Sequence, residues 1–302
     1  MNAQDWGLII TLSLIWGSAF FLIVVILREI PPNTMVFLRL ALAIPPMLLW
    51  LRFTGETLPK SPAIWRQFAI LGALNIALPF ILYAWGQVRI SSGLASVLNA
   101  TTPLWGVVVA HFLTRDEKIT PLRLAGVLIG FAGVGVMMGG DALSGAGENV
   151  LAQLACVIAT LFYALASIYA LKMGDTGLST MQIATGQVCA ATVMMIPVVL
   201  LTETPWAGPM PGLATWACLA ALALISTSFA YLLYFRLIAS AGATNALLIP
   251  FLIPPVAILL GVAFLGERIE PEQLGGIALI AVGLAALDGR LFRRLAQPKL
   301  VP

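Results

Sequence analysis

The strongest constraint on the fold of this chain is an internal duplication. The pair Leu82-Tyr83 recurs as Leu233-Tyr234, 151 residues later. A box of Glu, a basic residue, Ile, any residue and Pro begins at Glu117 and again at Glu267, 150 residues later. The two copies therefore differ by one residue within a loop. A period of this length is too long for a solenoid and indicates a repeated helical bundle.

The composition places this bundle in a membrane. Apolar residues make up 60% of the 302 residues and charged residues 10%, whereas soluble domains average about 45–50% and about 25%. A helix of about 20 apolar residues spans the hydrocarbon core, and the chain has room for about ten of them. The three cysteines lie in apolar runs without metal-ligand spacing, so we interpret them as packing residues.

Ten apolar segments are predicted to be membrane-spanning helices. The first has a longer apolar run than the core of a signal peptide and no preceding basic residue, so we expect it to be retained. The segments are Trp6–Leu27, Thr34–Phe53, Trp65–Gln87, Gly93–Leu113, Leu122–Gly139, Asn149–Lys172, Thr180–Thr202, Leu213–Leu237, Gly242–Leu265 and Glu272–Leu291.

The basic residues predict the orientation. With the N-terminus in the cytoplasm, twelve lysines and arginines fall in cytoplasmic loops or the C-terminal tail and three in outside loops. Such a bias marks the cytoplasmic side, so both termini are predicted to be cytoplasmic. A unit of five helices crosses the membrane an odd number of times. The predicted fold class is therefore an all-α membrane protein of two inverted five-helix repeats, residues 1–140 and 141–302, the second ending in a short basic tail.

Two inverted copies favour a transporter. A pseudo-two-fold axis in the membrane plane makes inward-open and outward-open states near mirror images, which suits alternating access to a site at mid-membrane. A metabolite sensor and a channel remain as alternatives. An intramembrane enzyme would need a nucleophile with a base, or a metal cluster, and the sequence contains no such motif, so we expect no enzymatic activity.

Several further motifs carry a resemblance to a known family. They are Trp16-Gly17-Ser18-Ala19-Phe20, Phe37-Leu38-Arg39, the segments containing Pro103 and Pro254, and the two Glu boxes. In this order and spacing they resemble the ten-helix EamA-type branch of the drug/metabolite transporter superfamily, and within it the bacterial amino-acid exporters, including exporters of aromatic amino acids. The resemblance covers nearly the whole chain. It implies a two-fold basket of helices around a central cavity, with the last helix of each half at the periphery.

Polar and aromatic residues within the segments are the candidates for the cavity wall. A polar group in a membrane helix usually faces the bundle interior or a water-filled path, although hydrogen bonding between helices is the commoner explanation for any one hydroxyl. Tyr83 and Tyr234 are favoured because they are equivalent in the two halves and combine an apolar ring with a hydrogen-bonding tip. The predicted substrate-contacting residues are Tyr83, Tyr234, Asn99, Asn245, Trp105, Trp16, Ser18, Tyr163 and Arg39.

Prolines inside the segments are the candidate hinges. Each removes a backbone donor and leaves a carbonyl in need of another partner, which commonly kinks the helix. Pro103 and Pro254 occupy matched positions in the repeat, and Pro79 and Pro250 also lie inside segments. A static kink required for packing explains these prolines equally well.

Two titratable side chains allow more than one interpretation. Arg39 lies about five residues inside its segment, from where it could snorkel to the outer interface or anchor a substrate carboxylate. His111 lies near the cytoplasmic end of its segment without a neighbouring carboxylate. A packing role is therefore favoured for His111 over a proton relay.

The residue types that are missing narrow the function. Apart from Arg39, no cation lies deep in a segment, which argues against phosphorylated substrates, and no carboxylate does, which argues against proton-driven antiport. We predict a bacterial inner-membrane exporter of amino acids, or of similar small neutral or zwitterionic metabolites, acting by facilitated diffusion, with proton-coupled antiport as the alternative. We expect no cofactor, metal or nucleic acid, and a monomer whose partners are its small-molecule substrate and the lipid bilayer.

Overall fold

The computed structural model of the protein is a bundle of helices, here labelled α1 to α10. It describes residues 2–114, 118–143, 147–174, 176–205, 207–241 and 248–288, and within these ranges there is no β-strand. The helical segments are α1, Ala3–Leu27; α2, Pro32–Phe53; α3, Pro62–Gln87; α4, Ser92–Leu113; α5, Pro121–Leu143; α6, Gly147–Gly174; α7, Thr180–Thr202; α8, residues 213–241; α9, Ile249–Leu265; and α10, Pro271–Asp288.

Each of the ten predicted segments overlaps one of these helices. By length and composition, α1 to α8 are sufficient to cross a membrane, while the described parts of α9 and α10 are shorter apolar helices. The predicted start of the ninth segment, residues 242–247, lies outside the described residues. The predicted all-α membrane class is therefore confirmed.

Prolines and capping side chains determine where several helices begin. The proline that ends each Glu box, Pro121 and Pro271, is the first residue of α5 and of α10. Proline suits this position because its missing N–H would have no partner in the first turn and its φ angle is already helical. Ser179 caps α7 in a reciprocal pair of hydrogen bonds with Gln182.

Four of the helices are interrupted. A π-helical stretch occurs in α3 at Ala73–Ala77, in α8 at Ala221–Phe229 and in α9 at Gly261–Leu265. Helix α4 is broken by a turn at residues 100–101. Helices α3 and α8 are equivalent in the repeat, so both halves carry a π-helical stretch on the same helix. Such stretches insert an extra residue per turn and are frequent at functional sites.

The helix contacts follow a two-fold pattern. Helix α1 packs against α8 and α9, and its counterpart α6 packs against α3 and α4. The pairs α2 with α7, α4 with α9, and α5 with α10 join equivalent helices of the two halves. Exchange of α1–α5 with α6–α10 thus reproduces the same contacts, as expected of two equivalent five-helix units.

Glycines allow α5 and α10 to touch backbone to backbone. A Cβ atom added to Gly126 would lie 2.7 Å from the carbonyl oxygen of Gly283, and one added to Gly133 would lie 2.7 Å from that of Gly276. Real Cβ atoms do not approach a backbone oxygen so closely. Small residues are the usual means of close helix packing in membranes, so these glycines permit the contact between the last helices of the two halves.

Loop carboxylates also join the two halves, and we call Glu29, Glu56, Glu203 and Glu267 the cross-half carboxylates. Each binds the start of a helix that belongs to the other half. Glu203 accepts hydrogen bonds from the backbone N–H groups of Asn33 at 2.8 Å and Thr34 at 2.7 Å, where α2 begins. Such carboxylates satisfy backbone donors that have no partner within the helix and favourably meet its positive end.

Glu29 and Glu267 act in the same way, whereas Glu56 binds the hydroxyl of a capping residue. Glu29 accepts from Gly212 N at 2.7 Å and Thr215 Oγ1 at 2.8 Å, at the start of α8. Glu267 accepts from Ser92 N at 2.7 Å, Ser92 Oγ at 2.9 Å and Gly93 N at 3.2 Å, at the start of α4. Glu56 accepts from Ser179 Oγ at 2.5 Å, at the start of α7. The Glu of the second box thus holds α9 against α4.

Candidate functional site

A group of neighbouring aromatic side chains lies beside Arg39 where helices of both halves meet, and we call it the aromatic cluster. It draws on α1, α3 and α8 together with α6, while Arg39 comes from α2. Its members are Trp16, Phe20, Phe80, Tyr83, Tyr163, Tyr231, Tyr234 and Phe235.

One side of the aromatic cluster is built around Tyr83. Its ring stacks on Tyr163 with centroids 6.3 Å apart and meets Phe20 edge to face at 5.8 Å. The Tyr83 hydroxyl donates to Asn99 Oδ1 at 3.1 Å, just before the break in α4. Three residues predicted from the sequence, Tyr83, Tyr163 and Asn99, are therefore brought together here.

The other side of the aromatic cluster is built around α8. Trp16 meets Tyr234 at 5.5 Å, Tyr234 meets Phe235 at 5.7 Å, and Phe235 stacks on Tyr231 at 6.0 Å. The Trp16 indole N–H donates to the carbonyl oxygen of Ser226 at 3.2 Å, which fixes α1 against the π-helical stretch of α8. Trp16 and Tyr234, both predicted from the sequence, are thus in direct contact.

Arg39 is buried beside these rings, with 8% of its surface exposed. Its Nε donates to Thr227 Oγ1 of α8 at 3.0 Å, and its Cζ lies 4.1 Å from the centre of the Phe80 ring. Tyr163 and Tyr231 lie within electrostatic reach of the guanidinium. In this structure Arg39 therefore points into the bundle and does not snorkel to the interface.

The positive charge of Arg39 has no carboxylate partner in the described part of the chain. The ion pair found among those residues is Arg89 with Glu148, at 3.3 Å. Within the same residues Arg39 donates through Nε to Thr227 and through neither Nη atom, and its Cζ lies over the Phe80 ring. Arginine stays protonated in proteins, so a cation with two free donor groups faces the aromatic cluster.

The π-helical stretch of α8 creates the position of Thr227. Its hydroxyl donates to the carbonyl of Leu222, five residues earlier, at 3.0 Å, and accepts from Arg39. The neighbouring Ser228 Oγ reaches the carbonyl oxygen of Ala43 on α2 at 3.0 Å. Two consecutive hydroxyls of the π-helical stretch thus contact α2.

The corresponding helices of the other half, α3 and α7, are joined by a neutral pair. Asn75, in the π-helical stretch of α3, donates through Nδ2 to Gln187 Oε1 of α7 at 3.0 Å. This contact joins α3 to α7 as the contact between Thr227 and Arg39 joins α8 to α2. A polar contact therefore joins the corresponding helices in each half, and it includes a charge in one half and none in the other.

Three predicted site residues lie away from the aromatic cluster. Trp105 pairs with Phe131 of α5 at 4.8 Å, and its indole N–H is buried without a partner among the described residues. Ser18 donates to the carbonyl of Ile15 in its own helix at 2.9 Å. His111 Nδ1 accepts from Ile119 N at 3.2 Å in the loop before α5, which is a structural contact.

The predicted hinge prolines occupy different local settings. Pro103 lies in the first turn after the break in α4, and Pro250 in the first turn of the described part of α9. Pro79 follows directly after the π-helical stretch of α3. Pro254 lies inside the helix of α9. Asn245 lies outside the described residues.

Sequence reasoning did not assign Phe80, Thr227 or Phe235 to the site. The signal for part of α8 is present, because Tyr231, Tyr234 and Phe235 are spaced three and four residues apart and so share one helix face. No comparable signal marks Phe80 or Thr227. Within the described residues there is no group of three or more metal-ligating side chains.

Comparisons with known proteins agree on the class of this molecule. Residues 6–139 and residues 150–287 each match the EamA-like transporter family. The chain is 29% identical to the uncharacterized inner membrane transporter YedA of Escherichia coli K12, over 98% of this chain and 94% of YedA. It is 28% identical to protein PecM of Dickeya dadantii, over 94% and 93% of the two chains.

A relative with a named substrate and a solved structure add to this. A probable terminal-alkyne amino-acid exporter of Streptantibioticus cattleyicolor is 25% identical, over 97% of this chain and 96% of that protein. A crystal structure of another protein, 20% identical, superposes with a TM-score of 0.67 over 98% of this chain and 100% of that one. At that identity the structural match supports the fold alone.

Proposed function

Because the chain belongs to the EamA-like transporter family, we propose that it exports small amphipathic metabolites, amino acids with aromatic side chains among them, by alternating access. It is a multi-pass transporter of the inner membrane. Residues 1–140 and 141–302 act as inverted halves in this proposal, with both termini in the cytoplasm. The substrate binds in a central cavity between the two halves. Because one chain contains both halves, the proposed functional unit is a monomer.

The observation that carries the proposal is the aromatic cluster around Arg39. Rings from both halves converge on one place, and rings offer a large apolar contact area with polar tips. Tyr163 stacks on the buried Tyr83 and lies near the buried Arg39, yet its own exposure is intermediate. Partial exposure in such a position indicates space between the helices, which is where a small ligand would enter.

We propose facilitated diffusion because no titratable carboxylate contacts the aromatic cluster in the described part of the chain. Proton-coupled antiport usually requires one in the path of the substrate. His111 contacts the loop before α5 and not the aromatic cluster. The amino-acid exporter among the relatives supports amino acids as a substrate class.

The test is uptake of radiolabelled amino acids into proteoliposomes, with and without an imposed pH gradient. We expect saturable equilibration of aromatic amino acids that the gradient leaves unchanged. Uptake should be abolished in a Tyr83→Ala/Tyr234→Ala double variant. The matched control is Phe21→Ala/Phe264→Ala, which removes a ring pair 5.9 Å apart on α1 and α9, outside the aromatic cluster.

The outcome also discriminates between the alternatives. Uptake that strictly requires the pH gradient would refute facilitated diffusion. Equal loss of uptake in both double variants would refute the assignment of the aromatic cluster as the binding site. Binding without any movement of label would indicate a sensor.

A further inference from the structure

Arg39 together with its charge surroundings defines the substrate class more narrowly, and this inference rests on the proposed function. We infer that the site recognises an organic monoanion, with the substrate carboxylate on the free Nη groups of Arg39 and its apolar body among the rings. The ammonium group of an amino acid is not required, and a monocarboxylate without it should bind more tightly than the amino acid itself.

The first step of the argument is the cost of an unpaired buried cation. A charge taken out of water is costly unless a partner of opposite sign or several hydrogen bonds compensate for it. Arg39 is 8% exposed, and the described residues supply one hydroxyl and one ring face. Most of the compensation must therefore come from something that enters the site.

The second step concerns geometry. Guanidinium presents its donors in a planar fork that matches the two oxygens of a carboxylate. Thr227 binds Nε, so Nη1 and Nη2 are the donors that remain. The Phe80 ring lies 4.1 Å from Cζ, and a carboxylate that binds both remaining donors approaches along the edge that carries the two Nη atoms.

The third step concerns the net charge of the loaded site. A monocarboxylate neutralises Arg39, whereas a zwitterionic amino acid brings a second cation for which the described part of the cluster offers no carboxylate. Rings attract a cation by about 0.5–2 kcal/mol in general, but that attraction competes with the repulsion from Arg39 at close range. The charge balance therefore favours binding of the anion over binding of the zwitterion, and it opposes binding of a cationic amine.

The other half of the protein supplies the internal comparison. Gln187 and Asn75 join the corresponding helices, α7 and α3, without a charge. A neutral amide is thus sufficient to hold these helices together, so cohesion alone does not account for an arginine at position 39. Only one of these two contacts includes a charge, that of Arg39, and we assign to this charge the function of binding the ligand.

The experiment uses four probes that share a phenyl ring on a short alkyl chain and differ in charge. These are 3-phenylpropanoate, L-phenylalanine, 3-phenylpropanamide and phenethylamine. Binding to the purified full-length protein in detergent is measured by ligand-dependent thermal stabilisation. We expect 3-phenylpropanoate to bind roughly 10-fold or more tightly than the amide, L-phenylalanine to be intermediate, and phenethylamine to be weakest, because charge-assisted hydrogen bonds are the ones at stake.

Variants then assign the preference to Arg39. Arg39→Gln copies the residue type of the other half and should lower the affinity for 3-phenylpropanoate roughly 10- to 100-fold while the affinity for the amide is unchanged. Arg39→Lys should retain part of the preference because the charge remains without the fork. Arg52→Gln, an exposed arginine on the same helix, is the matched control and should leave all four affinities unchanged.

Each result has a defined meaning. Equal binding of acid and amide by the native protein overturns the inference without any variant being needed. An equal loss for all four probes in Arg39→Gln overturns it as well, since a charge effect is selective. Uptake of labelled 3-phenylpropanoate into proteoliposomes, compared with protein-free vesicles, tests the proposed function separately. Preferential binding of 3-phenylpropanoate without its uptake would refute transport and leave the inference intact. Uptake that is equal for the acid and the amide would support transport and overturn the inference.

Discussion

The substitution Glu267→Gln tests whether the cross-half carboxylates hold the bundle together. Glu267 follows Gly266, whose φ of +69° provides the sharp turn after α9. Its carboxylate then accepts three hydrogen bonds from Ser92 and Gly93, at 2.7, 2.9 and 3.2 Å. Two of the donors are backbone N–H groups in the first turn of α4, which have no partner inside that helix.

The magnitude follows from what glutamine is able to replace. Its single carbonyl oxygen accepts where the carboxylate had two oxygens, and its NH₂ group would face an N–H donor. One backbone N–H therefore loses its acceptor, and the remaining bonds lose their charge. A hydrogen bond to a charged group contributes about 1.5–3 kcal/mol, and a charge at a helix N-terminus adds about 0.3–1 kcal/mol. We expect Glu267→Gln to lower the free energy of unfolding by about 2 kcal/mol.

Reversible unfolding of the purified protein by SDS titration in mixed micelles measures this loss. Glu270→Gln is the matched control: Glu270 is an exposed glutamate in the same loop, and its expected effect is below about 0.5 kcal/mol. A double-mutant cycle of Glu267→Gln with Ser92→Ala isolates the hydrogen bond between Glu267 and the Ser92 hydroxyl, because residues in direct contact are coupled. If Glu267→Gln is as stable as the native protein, or no less stable than Glu270→Gln, the cross-half carboxylates do not stabilise the bundle.

Three further outcomes follow from the structure. The pKa of Glu29 is held below its ordinary value, mainly by the backbone N–H of Gly212 and then by the hydroxyl of Thr215. The ionised Glu29 carboxylate therefore stabilises the folded protein above a pH of about 4.3, and this stabilisation is lost as the pH falls through the lowered pKa. Stability curves of the native protein and Glu29→Gln should separate at neutral pH and converge in acid. Gly283→Ala should destabilise the protein by about 1–3 kcal/mol, because the new methyl group would lie 2.6 Å from the carbonyl oxygen of Gly126. The control Gly135→Ala, with open space around it, should not destabilise the protein. Equal effects of the two substitutions in SDS titration would contradict the close contact. Thr227→Val should remove the acceptor of Arg39 Nε and lower stability by about 1–3 kcal/mol, with an unchanged unfolding midpoint as the contrary result.

Helix number, positions and equivalence could be predicted from the sequence because each depends on local information. An apolar run of about 20 residues needs to be a helix in lipid, whatever its neighbours are. The prolines that begin α5 and α10 are likewise local signals. The aromatic cluster was partly predictable, since Tyr83 and Tyr234 recur in the repeat and both lie in it.

The features that escaped prediction depend on distant partners. Glu267 begins a box that the repeat contains twice, but its donors lie 175 and 174 residues away and carry no pattern that points to it. The π-helical stretches of α3 and α8 leave no mark in composition. The burial of Arg39 depends on which face of α2 meets α8, which a helix of nearly uniform hydropathy does not reveal.

The difference between the halves at Arg39 bears on how the substrate sits during transport. In the proposed mechanism the two halves exchange conformations between inward-open and outward-open states. A cation in both halves would offer the carboxylate two equivalent positions, and the substrate would have no preferred orientation. Because Arg39 lies in one half and the neutral Gln187 in the other, we expect the carboxylate to stay with α2 and α8 in either state. The duplicated scaffold then provides the symmetric movement, and the single unmatched charge provides the substrate with one orientation throughout it.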